Sequence, residues 1–154
     1  MSWLRETFGT GCPIIATVHR PALRLRRTLH AEHVRLLFTV VAEFAAPLDA
    51  RGPVPIVRSV AFSSLPDALA VSGPITGTPP AAADLRAVRE AVGGSVPVLL
   101  NTGLRRETVA ELLPLADGAV VGTSLKVDGV TWNPVDPERV RALMETVRAV
   151  RGDR

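Results

Sequence analysis

Residues Asp117 to Val140 read DGAVVGTSLKVDGVTWNPVDPERV. The run Gly118-Ala119-Val120-Val121-Gly122 is short, apolar and β-branched, and it stops at a glycine, which predicts a buried parallel strand. Thr123, Ser124 and Lys126, the only lysine of the chain, follow at once. Hydroxyls, bare backbone N–H groups and a cation gathered at the carboxyl end of a strand predict an anion site. Asp136 is placed to cap the next helix, and Pro137 suits its first turn.

Outward from that stretch the same alternation recurs. Pro13 to Val18 predicts a first strand, with His19 at its carboxyl end, either as an acid, base or anion partner or as a hydrogen-bonded structural histidine. Arg20 to His33 reads as a connector rich in Arg and Leu. Val34 to Glu43 predicts the second strand and Pro53 to Leu65 a helix whose prolines fit only its first turn. Ala68 to Val71 predicts the third strand. The loop after it offers Ser72, Gly73, Thr76 and Gly77 to a phosphate, although a plain turn accounts for the glycines equally well. Ala81 to Val92 predicts a helix with Leu85, Val88 and Val92 inward, stopped by Gly93-Gly94. Val96 to Leu100 predicts a fourth strand, followed by Asn101-Thr102-Gly103. Thr108 to Leu115 predicts a further helix, and Pro137 to Arg151 a last one that buries Val140, Leu143, Met144 and Val147.

Gly122-Thr123-Ser124-Leu125-Lys126, Asp128-Gly129 and Asn133-Pro134-Val135-Asp136, in this order and spacing, resemble the carboxyl-terminal signature of the BtpA/SgcQ family. Pro13-Ile14-Ile15, Val18-His19, Pro21-Ala22-Leu23, Ala45-Ala46-Pro47-Leu48, Asp67-Ala68, Val71-Ser72-Gly73 and Thr76-Gly77 extend the match along nearly the whole chain. The resemblance implies a phosphate-binding (β/α)8 barrel, and the founding type is linked to photosystem I biogenesis in cyanobacteria. It also implies that the loops after the last two strands share an anion, so Thr102, Gly103, Gly122, Thr123, Ser124 and Lys126 join Ser72, Gly73, Thr76 and Gly77 as expected anion-binding residues, with His19 as the expected catalytic group. Relatives carry Asp in the strand matched by Val34–Glu43 and Lys-His just after it. Here Thr39, Glu43 and Phe44 stand at those positions, which counts against turnover of the family type.

The size of the chain sharpens this expectation. A TIM barrel takes about 250 residues and each strand-plus-helix unit roughly 30, so 154 residues predict a single α/β domain of about five parallel strands with flanking helices. That is a truncated barrel in which residues 20–33 replace the family's middle. Five strands cannot close a barrel, so a homo-oligomer or a complex with a longer relative is expected to cover the open edges.

A hydrophobic content of 47% supports a packed core, and the net charge is only +3. Arg20, Arg24, Arg26 and Arg27 cluster, but no aromatic side chains interleave to stack on bases, so nucleic acid is not the expected partner and a solvated face is. One cysteine, Cys12, cannot form an intrachain disulfide, which fits a reducing cytoplasm. Val34 to Leu48, the longest apolar stretch, is too short to span a bilayer. His30 and His33 share a helix face without a third ligand, so no metal is expected, and no motif names a cofactor. The expected ligand is a phosphorylated small molecule. The competing reading is a non-catalytic assembly factor acting through a partner.

Overall fold

Four parallel strands, β1 (Leu37–Val41), β2 (Ala68–Val71), β3 (Val98–Leu100) and β4 (Gly118–Ala119), lie side by side in chain order in a computed structural model of the protein. The structure describes residues 19–41 and 51–152, without the side chains of 19–21. The expected strand at 13–18, and Glu43 and Phe44 with it, lie outside the described residues. The registers run Leu37 beside Ala68, Leu69 beside Val98 and Leu99 beside Gly118. β2, paired on both sides, is buried at all four positions, as a parallel strand covered on both faces must be.

Helices α1 (His19–Thr28), α2 (Pro53–Ser64), α3 (Ala82–Val92), the short α4 (Val109–Leu112) and α5 (Pro137–Arg151) flank the sheet. Parallel pairing requires such crossovers, because a tight turn returns the chain only antiparallel. In α3, Leu85, Val88 and Val92 fall on one face and are buried, and Gly93 ends the helix in the left-handed conformation while its N–H bonds back to Arg89 and Glu90. This is the expected stop. In α2, Val57 and Val60 are buried, with Pro53 and Pro55 confined to the first turn. These residues join Leu69, Val71, Val98, Leu100 and Val109 in one core.

Five sequence expectations are corrected. Residues 20–33 are not a bare connector: most of the segment is α1, which packs on α2. Its Ala, Leu and Arg residues are strong helix formers and Pro21 falls in the first turn. Arg26, read as part of a solvated face, instead turns inward, with a side chain 17% exposed, while Arg24 and Arg27 stay exposed. The helix expected over Thr108–Leu115 is broken into a 3-10 turn (Arg106–Thr108), α4 and a second 3-10 turn (Leu113–Leu115), since Pro114 has no N–H to continue the ladder. The stripe of α5 is narrower than expected: Leu143 is buried, whereas Met144 is 40% exposed, because α5 packs along one side on α4 and the neighbouring turns. β4 is likewise shorter and less buried than its apolar run predicts. Val120 N still donates to Leu100 O at 2.8 Å, but its side chain is half-exposed.

Candidate functional site

The carboxyl ends of β2, β3 and β4 point to one side, and the loops leaving them meet there through specific bonds. Thr102 Oγ1 accepts from Gly73 N at 2.6 Å and donates to Thr78 O at 2.9 Å. Asn101 Nδ2 donates to Ser72 Oγ at 2.9 Å. The loop after β2 is thereby fastened to the loop after β3. It closes as a turn, Thr78 N to Ile75 O at 3.0 Å, with Gly77 at φ +81° in the third position, where a type II turn calls for glycine. Ser124 Oγ donates to Leu104 O at 2.8 Å and so fastens the β4 loop to the β3 loop.

Two glycines are fixed by close approach. A Cβ on Gly73 would lie 2.1 Å from Thr78 O, and one on Gly103, which also has φ +75°, would lie 2.1 Å from Pro79 N. Both positions let the backbone of Thr78-Pro79 pass against the strand ends.

Between these loops and the start of α5 lies a cleft of about 730 Å³. Its size falls in the ~300–1,000 Å³ range of small-molecule sites. Thr76 and Gly77 reach it from the β2 loop, Thr102 and Gly103 from the β3 loop, and Gly122, Thr123 and Ser124 from the β4 loop. Val121, Leu125 and Leu143 give it an apolar side. Thr123, Ser124 and Leu125 form a 3-10 turn closed by Leu125 N to Gly122 O at 2.9 Å. The N–H groups of Thr123 and Ser124, at the open end of that turn, have no partner among the described residues.

The remaining expected residues are placed elsewhere. Ser72 and Gly73 are buried behind the cleft wall and hold the wall together. Lys126 is not part of the cleft lining. It pairs as an antiparallel bridge with Val135, where Val127 N donates to Pro134 O at 3.0 Å and a flap from 126 to 135 is pinched off. His19 opens α1, and its side chain lies outside the described residues.

Among the described residues the positive charge of the cleft comes from three arginines that the sequence reading passed over, Arg105 and Arg106 after β3 and Arg139 in the first turn of α5, and it is offset in part by one carboxylate, Glu107. Thr108 Oγ1 accepts from Arg105 N at 3.2 Å and donates to Arg105 O at 3.1 Å, which fixes the start of the 3-10 turn. Arg105 Nη2 reaches Gly77 O at 3.4 Å. Arg106 has no ion-pair partner among the described residues. Asp136 accepts from Glu138 N at 2.9 Å and from Arg139 N at 3.5 Å, so it caps α5 as expected. Its other oxygen lies 3.5 Å from Arg139 Nε. The signal available in the sequence was position alone, since all three arginines lie within a few residues of loops already singled out.

The model of the BtpA family matches residues 3–149. The chain belongs to the BtpA family. Among its relatives are the putative sgc region protein SgcQ of Escherichia coli K12, 43% identical over 84% of this chain and 48% of that protein, and the photosystem I biogenesis protein BtpA of Synechocystis, 33% identical over 81% of this chain and 43% of that protein. The chain thus spans about half the length of these BtpA-family relatives. A phosphoribosyl anthranilate isomerase from Thermococcus kodakaraensis, a TIM-barrel-type enzyme, superposes with a TM-score of 0.55 at 19% identity, over 84% of this chain and 58% of that one. That likeness is one of fold. It agrees with the α/β class expected for a BtpA-family chain. Among the described residues no helix is long and apolar enough to cross a membrane.

Proposed function

We propose that this chain binds a phosphorylated small molecule in the cleft at the carboxyl ends of β3 and β4. The observation that carries the reading is the convergence of three arginines, Arg105, Arg106 and Arg139, with the unpartnered N–H groups of Thr123 and Ser124 on one cleft. Guanidinium groups bind phosphate oxygens through charge-assisted, often bidentate hydrogen bonds. Backbone N–H groups of a tight turn add donors at no side-chain entropy cost. Gly103 lets the Thr78-Pro79 backbone close against the strand ends, and the hydroxyls of Thr102 and Ser124 hold the loops that carry the donors. Binding is favoured over turnover, since among the described residues the titratable groups lining the cleft are three arginines and a single exposed glutamate.

A second reading, a non-catalytic role in assembly through a partner, is favoured by the flap from 126 to 135, whose Trp132 is 93% exposed with Val130 and Val135 also open to solvent. Thermal unfolding with inorganic phosphate and simple phosphorylated metabolites separates the two. A ligand at 100 times its Kd stabilises by ~2.7 kcal/mol, so the binding reading expects a saturable rise in Tm that Arg139→Gln reduces. A Tm indifferent to every phosphorylated compound leaves only the partner reading.

A further inference from the structure

The three arginines of the cleft do not share one wall. Arg105 follows β3 and leans across to the β2 loop, where its guanidinium meets Gly77 O at 3.4 Å. Arg106 is beside it, exposed and without an ion pair among the described residues. Arg139 belongs to α5, beside Asp136 and near Gly129, where an added Cβ would lie 3.8 Å from its Nη1. α5 packs against the turn at Thr123–Leu125 and also touches the turn at Arg106–Thr108, but its Arg139 is held beside Asp136 and Gly129 whereas Arg105 meets Gly77, so these two guanidinium groups mark two poles of the opening. Val121, Leu125 and Leu143 add apolar surface to a lining that also carries Asn101, Thr102 and Thr123. The volume of about 730 Å³ is far more than one phosphate group fills.

Resting on the anion-binding reading above, we infer that the ligand carries two separate anionic groups: a phosphate held by Arg139 and the Thr123–Ser124 N–H groups, and a second group, a carboxylate or another phosphate, held by Arg105 and Arg106, joined by a body with an apolar face. A single anion leaves one pole unmatched. Arg105 and Arg106 then stay solvated and contribute little, whereas a second anion converts them into charge-assisted donors. Glu107 stands at the same pole, but two guanidinium groups outweigh its one carboxylate.

Titration calorimetry with phenyl phosphate and 4-carboxyphenyl phosphate, a pair differing by one carboxylate, tests this on the full chain. The carboxylated compound is expected to bind at least about tenfold more tightly, the size of effect a charged hydrogen-bonded pair produces. In Arg105→Gln/Arg106→Gln that preference, read as the ratio of the two affinities, falls to near unity. Arg139→Gln weakens both ligands. A control of the same net charge, Arg58→Gln/Arg86→Gln on the exposed faces of α2 and α3, keeps the preference, and thermal melts confirm that each variant folds. Equal affinity for the two compounds in the parent, or a preference that survives the Arg105/Arg106 double change, overturns the ligand with two anionic groups and leaves anion binding standing. No binding of either compound or of inorganic phosphate overturns both.

Discussion

At the scale of single residues, the cleft is held open by groups that are already spent on structure. Thr102 Oγ1 satisfies Gly73 N and Thr78 O at once from a buried position. Thr102→Val leaves a buried N–H and a carbonyl without partners, so it should cost about 1–3 kcal/mol, whereas Thr102→Ser keeps both bonds and most of the stability. Chemical denaturation of the two variants decides it, and equal loss contradicts the assigned role. Gly103→Ala drives a methyl into the backbone of Pro79 and strains a left-handed φ, so a loss of at least about 1–3 kcal/mol is expected. Gly122→Ala meets nothing within 4 Å and should melt like the parent. Sequence reading placed all of these residues at the strand ends and marked their hydroxyls and glycines for an anion. It had no means to separate a hydroxyl that faces a ligand from one that fastens two loops, because both occupy the same motif position. The arginines went unmarked for a related reason: an exposed Arg after a loop is common, and only the fold brings Arg105 and Arg139 to one opening.

At the scale of elements, two aspartates staple the amino ends of the strands, opposite the cleft. Asp67, just before β2, accepts Leu36 N at 2.8 Å and pairs with Arg26 at 2.7 Å and Arg35 at 3.0 Å. Asp117, just before β4, accepts Val98 N at 2.8 Å and lies 3.4 Å from Arg89. The backbone hydrogen bond from Leu36 leads in holding the Asp67 carboxyl below its ordinary value of 3.8, aided by hydrogen bonds from Arg35 and Arg26 and opposed by burial. A carboxyl whose pKa is lower folded than unfolded adds stability that is complete above the unfolded value and is lost as pH falls through the folded one. Stability should therefore decline below about pH 4, and Asp67→Asn should flatten that decline while lowering stability at pH 7 by about 1.5–3 kcal/mol. Urea titrations from pH 3 to 7 measure both. The clasp also explains why 20–33 was misread. The arginines of α1 look like a solvated run in sequence, and the partner that turns Arg26 inward lies 41 residues away. The helices with regular apolar spacing, α2 and α3, were legible because their periodicity and stop signals are local. α4 and β4 were not, because Pro114 and the departure of the chain into the cleft cut short patterns that looked longer.

For the whole molecule, the four parallel strands and their crossovers account for the fold likeness to a longer barrel enzyme, while the chain spans about half the length of its curated relatives. Phe62 is 88% exposed, Trp132 93%, Ile75 65% and Leu29 64%. Large apolar side chains left this open favour association when they fall in patches. The purified chain is expected to run above its monomer mass in light scattering at micromolar concentration, and Trp132→Ser with Phe62→Ser to shift it toward monomer. A monodisperse monomer in the parent contradicts that expectation. The central claim, however, is the anion cleft, and its most direct test is a phosphate titration followed residue by residue in amide NMR spectra of the labelled protein. Saturable shifts concentrated at Gly103, Gly122, Thr123, Ser124 and Arg139 are the predicted result. Shifts that fail to saturate, or that gather at α1 and the Asp67 clasp instead, contradict it.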